Sequence, residues 1–557
     1  MRRLGIYHPA GRADGTGANV FGMQVANLEL FQALARFGGL DRLDVLTHVD
    51  VEVEALRRGL LGINAGEIDI QPALITNQAR AADAGAVIRG GPRIDELAWI
   101  RRASVGRRAY SLIGLIHTIA PPAMRQDIAA AAIAPTEDWD AVVCTSPSIQ
   151  SAMVRMFEEW GDYLGARFGG PARPRPRLPL LPLGVSGDAV AAAADRPDAR
   201  DRRRGLLGAA TQDVVLLWVG RLSFFEKAFP QAMFRAAQEA AEATGARVHF
   251  AMVGWFPGGK ADEDRYRQAA DAYAPDVHLH FLDGNDRLVV NEMWAAADIF
   301  ISLVDNIQET FGITPLEAMA AGLPVVVSDW DGYRYTVRDR IEGALIPTLG
   351  APAQNLLREQ VTSHALAITS YQSYVGTVAQ HTAVHVGRAA EAIGELIRSP
   401  ELRRRWGDAG RRRIRDTFDW RVVAPQYVAL AEELATVRKA EPDDGRRQAH
   451  PLKGDPYKDF SGFATRVLEL DDAVWLRSGA GSADLDRSDG LFLDQFAAGR
   501  RASRVEMDTI LAGLGGGQKV VVRRLLEHFP VHRRKPVLLG LMWMAKAGLL
   551  NWHTSRV

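Results

Sequence analysis

The 557-residue sequence predicts an α/β protein made of two consecutive parallel-sheet units followed by a mainly helical extension. Three observations carry that prediction. Short apolar runs alternate with helical patterns from the N-terminus to roughly residue 170, and the same alternation restarts at Val214. Between them, residues 169–182 are crowded with Pro, Gly and Arg, the composition of a linker. A chain of this length is also too long for one core, and three or so domains are expected.

Residues 4–7 read as the first strand. A loop carrying Gly11, Gly15 and Gly17 follows, then a helix over about 19–37. Residues 43–47 form the second strand, and 112–117 and 141–145 are later strands of the same sheet. Strand, helix and strand in series imply a parallel sheet whose ligands sit at the carboxyl ends of its strands. The string LPLLPLGV at 178–185 enters the second unit, with strands at 214–219, 248–253, 278–282, 299–303 and 325–328. Residues 389–397, 401–418 and 422–438 are helical. A polar, Gly-bearing boundary lies at 443–454, and the tail has helical patterns at 504–514, 520–529 and 536–550. No repeat of solenoid period is present.

Composition narrows the function. Lys plus Arg and Asp plus Glu are 67 each, so the formal net charge is zero, which argues against a general polyanion binder. The single cysteine, Cys144, sits in an apolar run, excludes an internal disulfide and fits a reducing compartment. No stretch has the length and apolarity of a membrane span, and the N-terminal apolar run is too short for a secretion signal. A cytoplasmic protein is expected, with a peripheral position at the inner membrane left open.

The chemistry concentrates in residues 309–329, ETFGITPLEAMAAGLPVVVSD. Glu309 and Glu317 stand with seven residues between them. Thr314 as N-cap, Pro315 as first helical residue and Glu317 as third predict a helix start. Gly322 then stops the helix, and Val325, Val326 and Val327 suit a strand buried on both faces. On this reading Glu309 lies on the loop, Glu317 in the first helical turn, and the free N–H groups of that turn at Gly312, Ile313 and Thr314 suit a phosphate. A bland reading stands beside it: Glu317 as the reciprocal glutamate of a capping box and Glu309 as a solvated loop residue.

As a whole the stretch closely resembles the E-x7-E signature of the retaining GT-B glycosyltransferases of family four. That resemblance covers roughly residues 1–435 and is strongest over 214–347. It implies two Rossmann-like domains facing a cleft, with residues 1–175 on the acceptor side, 184–400 on the nucleotide-sugar side, 401–440 as closing helices packed back on the first domain, and 455–557 as an extension of unknown role. It implies that Glu309 touches the donor sugar and Glu317 holds the ribose. In VGRLSFFEK, Arg221 at a strand end and Lys227 six residues on match the family's cation pair at the donor diphosphate, with a spacing one residue longer than the commonest. His117, at the end of YSLIGLIHT, stands where the family has a histidine close to the donor sugar. Gly15 and Gly17 occupy the place of the family's glycine loop, though AGRADGTGAN lacks its usual paired glycines. Residues 328–333, SDWDGY, also fit the family, as a tight turn lining the cleft.

The reaction implied is transfer of a sugar from a nucleotide donor to a sugar, glycan or lipid-linked acceptor hydroxyl, with retention. No metal or other cofactor is expected, because no His, Cys or carboxylate cluster has zinc spacing and neither Asp14 nor Asp331 stands out as a Mg²⁺ ligand. Two alternatives remain: a non-catalytic sugar-nucleotide-binding protein, and a tail-mediated nucleic-acid or membrane binder. The basic trio Arg533, Arg534 and Lys535 before an apolar helix motivates the latter. A small helical domain packed on the enzyme, or on a second copy as a homo-oligomer, is the simpler account of the tail.

Overall fold

The computed structural model describes residues 2–8, 22–59, 68–170 and 175–553. It divides into one unit ending at Ala449 and a second beginning at His450. Within the first unit are two parallel six-stranded sheets. The first comprises β1 (Arg3–Tyr7), β2 (Arg42–Thr47), β3 (Asp69–Leu74), β4 (Ala86–Arg89), β5 (Ser111–Leu115) and β6 (Ala141–Val143), ordered β3-β2-β1-β4-β5-β6. The second comprises β7 (Val214–Val219), β8 (Val248–Gly254), β9 (His278–Asp283), β10 (Ile299–Ser302), β11 (Val325–Ser328) and β12 (Gly343–Ile346). Its order, β9-β8-β7-β10-β11-β12, repeats that of the first sheet.

Both sheets are therefore doubly wound, with the order reversing between β1 and β4 and between β7 and β10. In such sheets the crevice beyond the strand ends at the reversal is where ligands bind. Covering both faces explains the continuous apolar strands: Val325, Val326 and Val327 of β11 lie between β10 and β12 with no exposed surface.

The linker expectation needs a correction. Residues 175–181 are not a free connection but run beside β6. Val142 N donates to Arg177 O at 2.8 Å, Cys144 N to Pro179 O at 2.9 Å and Leu181 N to Cys144 O at 3.1 Å. Proline is tolerated there because only alternate backbone groups of an edge segment face the sheet.

The chain crosses to the second domain near residues 182–185 and returns near 418–420. The two crossings touch: Val185 N donates to Phe418 O at 2.8 Å, and Trp420 N to Val185 O at 3.3 Å. A Cβ on Gly184 would lie 2.5 Å from the Trp420 ring, so only glycine allows this approach. The returning helix, Trp420–Ala440, buries Val423, Tyr427, Val428 and Leu434 in the same core as Leu4, Ile6, Leu30 and Leu34.

The second unit has its own core, including Val474, Leu485, Ile510, Leu525, Val537 and Met544. It is mainly helical, with one small antiparallel sheet in which Ala473–Leu476 pairs with Val520–Val521 and Leu550–Trp552. The 520–529 pattern thus begins as a strand and becomes helical only at Val522–Glu527, because its β-branched start pairs with Ala473 and Val474. Arg533 is held by Glu506 at 2.7 Å through two nitrogens, and the helix Arg534–Lys546 turns Val537, Leu541 and Met544 into the unit's core. Among the described residues no helix is long and apolar enough to cross a membrane.

Candidate active site in the interdomain cleft

The helix after β10 runs Ile313–Ala321, and its N-cap is Gly312 at φ +87°. This corrects the expected start. Thr314 is not the N-cap, Pro315 is not the first helical residue, and Glu317 lies beyond the first turn, outside any capping box. The left-handed Gly312 opens the helix earlier than the Thr-Pro signal suggests. Pro315, as third helical residue, costs no hydrogen bond because the first four amides of a helix have no internal acceptor. Those of Gly312, Ile313 and Thr314 fall among them. Gly322 at φ +85° ends the helix as expected.

Gly312 is further constrained by packing. A Cβ there would stand 1.9 Å from Tyr333 Cε1. Tyr333 is buried, with its hydroxyl 3.0 Å from Ser302 Oγ at the end of β10. The 328–333 turn is therefore what presses on the helix start, and Asp331 within it adopts φ +35°.

Asn306, fully buried, brings the loops after β7 and β10 together. Its Nδ2 donates to Phe225 O at 2.7 Å, its Oδ1 accepts from Gln308 N at 2.9 Å, and its carbonyl accepts from Trp330 Nε1 at 3.0 Å. The result places Lys227 Nζ 3.2 Å from Glu309 Oε2. Burial pushes the Glu309 carboxyl up, but the Lys227 ammonium and the Phe311 and Thr310 amides outweigh it and hold it below the usual range. Glu309 is thus an anion at neutral pH. Arg221, beyond β7, is paired with Glu226 at 2.6 Å. Both expected phosphate-binding cations therefore lie at this edge, each facing a carboxylate.

The first domain meets the same loop. Thr310, next to Glu309, donates from its hydroxyl to His117 O at 2.9 Å, and its carbonyl accepts from Thr145 Oγ1 at 3.3 Å. Ser146 Oγ donates to Asp331 Oδ1 at 2.6 Å. His117 lies just past β5, with Nε2 at 2.9 Å from Asn27 Oδ1 and 3.2 Å from Gly90 O. Asn27 Nδ2 donates to Gly90 O at 2.7 Å, which fixes the amide's orientation. Both partners of Nε2 are acceptors, so Nε2 carries the proton and Nδ1 keeps a lone pair. Burial pulls the imidazole down to about 4, so the ring is neutral at pH 7.

Glu317 faces the cleft from the second domain. Burial, followed by the charge of Glu29 from the helix Gly22–Phe37, pushes its carboxyl up to about 8, with Arg287 opposing. Glu29 is also raised, chiefly by burial, while Trp420 Nε1 donates to its Oε2 at 3.2 Å. Asp331 is pushed up to about 7, first by burial and also by the nearby charge of Glu309. A carboxyl raised in the folded state binds its proton more tightly there than in the unfolded chain. Its favourable share of stability is present below about pH 4.5 and is lost as pH rises through about 8 for Glu317. The melting temperature is accordingly expected to fall on going from about pH 5 to about pH 9, and Glu317→Gln to flatten that fall. Scanning calorimetry of both proteins across the series checks this, and parallel pH profiles would refute it.

Gly15 and Gly17 lie outside the described residues. Asn27, Asn306, Thr310 and Ser146 were not singled out from the sequence. Each is a polar residue in an otherwise ordinary helix or loop, and only the tertiary fold gives it a partner. Among the described residues, no group of three or more His, Cys, Asp or Glu is placed to hold a metal ion.

Residues 200–355 match the family described as "Glycosyl transferases group 1". The chain is 31% identical over 179 residues to the phosphatidyl-myo-inositol mannosyltransferase of Mycobacterium leprae, covering 32% of this chain and 37% of that protein. It is 29% identical over 293 residues to the D-inositol 3-phosphate glycosyltransferase of Geodermatophilus obscurus, covering 51% and 54% of the two chains. The aligned stretch thus spans about half or less of each relative's length.

Proposed function

We propose that the protein transfers a sugar from a nucleotide donor to an acceptor hydroxyl, retaining the anomeric configuration and needing no metal, a reading supported by the match of residues 200–355 to "Glycosyl transferases group 1". The observation that carries this reading is the meeting of Glu309, Lys227 and the free amides of Gly312, Ile313 and Thr314 at the β7/β10 reversal. A diphosphate fits the helix start, where amides and dipole favour negative charge. Arg221 and Lys227 add charge-assisted contacts. Glu317 takes the ribose hydroxyls, and Glu309 the hydroxyls of the sugar.

In the reaction the bond from the anomeric carbon to the phosphate oxygen breaks, and its electron pair leaves with the diphosphate. The acceptor oxygen forms the new bond, and its proton passes to the departing phosphate. Negative charge grows on the leaving group, so the amides and cations aimed at it lower the barrier. The anionic Glu309 stabilises positive charge developing on the sugar ring. Neutral His117 supports the site through polar contact and through its carbonyl, which holds Thr310 beside Glu309. Asn27 and Gly90 fix its ring.

Two expectations test this directly. Arg221→Ala should weaken binding of a nucleoside diphosphate by about 1.5–3 kcal/mol, the range for hydrogen bonds to charged groups. Calorimetry with UDP and GDP measures it, and an unchanged affinity removes Arg221 from the site. Turnover, followed as released nucleoside diphosphate, should persist in excess EDTA, because cations and amides supply the charge. Complete loss with rescue by Mg²⁺ or Mn²⁺ would overturn the metal-independent part of the proposal.

A further inference from the structure

A cavity of about 680 Å³ opens between the two domains of the first unit and reaches Glu309 and Asp331. That volume lies within the range typical of small-molecule sites, about 300–1,000 Å³. None of Arg221, Lys227, Gly312 or Glu317 lines it, so apart from Glu309 it is separate from the diphosphate and ribose positions. Three arginines do line it: Arg125 from the helix Pro122–Ala129, Arg155 from the helix Pro147–Phe168, and Arg334.

Their partners differ. Arg334 is committed to Asp329 at 2.7 Å. Arg125 and Arg155 have no side-chain hydrogen bond or ion pair among the described residues. Glu159, one turn after Arg155, also lines the cavity but makes no ion pair with it. At the floor, Glu309 is already matched by Lys227, and Asp331 is bonded to Ser146. That leaves the guanidinium groups of Arg125 and Arg155 without an ion-pair partner among the described residues, beside the carboxyls of Glu159 and Asp331. Trp330, Tyr374, Ile119 and Ile307 supply apolar walls that suit the C–H faces of a sugar or polyol ring.

We propose that this cavity holds the acceptor and that the acceptor is a phosphate ester, with Arg125 and Arg155 gripping the phosphate while a hydroxyl is presented beside Glu309. Guanidinium groups suit this role because their fork of N–H donors matches the oxygens of a phosphate. A sugar or polyol phosphate in solution and a phospholipid headgroup share this chemistry. The inference rests on the sugar-transfer reading above.

The experiment uses the full chain and calorimetry in three parts. Affinity for UDP and GDP is measured first; if neither binds, it is the sugar-transfer reading that fails. With the tighter of the two saturating, glucose 6-phosphate and glycerol 3-phosphate are compared with glucose and glycerol. Phosphatidylcholine vesicles containing phosphatidylglycerol are compared with phosphatidylcholine alone. The expected result is tighter binding of an anionic phosphate ester than of its uncharged or zwitterionic counterpart by about tenfold or more, with that gain lost in Arg125→Gln and in Arg155→Gln. A gain confined to the soluble esters assigns a free phosphate ester, and one confined to the vesicles assigns a lipid. If nucleotide binds but no anionic phosphate ester gains over its counterpart, or if the gain survives both substitutions, the inference is overturned. Circular dichroism melts of the two variants, both at surface-accessible positions, check that lost binding is not lost folding.

Discussion

Glu309→Gln is expected to lower sugar transfer by about a hundredfold or more, the scale on which a single preorganised electrostatic contact acts at a reacting centre. The substitution keeps the side chain's size and one acceptor oxygen but removes the negative charge. That charge is secure in the native protein, since Lys227 at 3.2 Å and two backbone amides hold the carboxyl ionised. Nucleoside diphosphate affinity should change far less, because that ligand has no sugar. Lys227 also loses its anion, so any change in affinity should be towards tighter diphosphate binding. Steady-state turnover and calorimetry on the same preparation measure both effects. Transfer at the native rate would remove Glu309 from the chemistry.

The second large effect is expected at Gly312. Gly312→Ala places a methyl 1.9 Å from the ring of Tyr333, at a φ of +87° that alanine resists. Tyr333 has little room to retreat, being buried and within hydrogen-bonding distance of Ser302. The helix start must therefore shift, and with it the amides of Ile313 and Thr314. Loss of nucleoside diphosphate binding is expected, with a fall in stability of about 1–3 kcal/mol for overpacking at a well-packed position. Calorimetry together with a denaturant titration separates the two. Native affinity in a folded Gly312→Ala protein would show that these amides do not hold the diphosphate.

The apolar runs placed most of the strands, because buried parallel strands are apolar along their length. However, β3, which carries Asp69, Gln71 and Pro72, and the four-residue β4 and β12 were not read from the sequence. The strand order was not legible, since pairing between distant segments leaves no local mark. The helix start at 312–315 was misread for a specific reason. Thr followed by Pro is a common N-cap signal, and the competing signal was a single glycine whose left-handed conformation depends on Tyr333, a residue from the next turn. Glu309 and Lys227 were each legible as candidates, but not as partners; that depends on Asn306, whose bonds to Phe225 and Trp330 join two loops far apart in sequence. The linker was misjudged because proline-rich composition signals irregular backbone equally well when that backbone lies along a sheet edge.

The paired crossings at Val185 and Phe418–Trp420 bear on how the cleft can move. Two chain segments joined side by side by hydrogen bonds act as a double-stranded hinge: they bend readily about the line through them and resist twisting or sliding. A bend about that line is the motion that would part Thr310 from the His117 carbonyl and Asp331 from Ser146, the contacts that join the two half-sites.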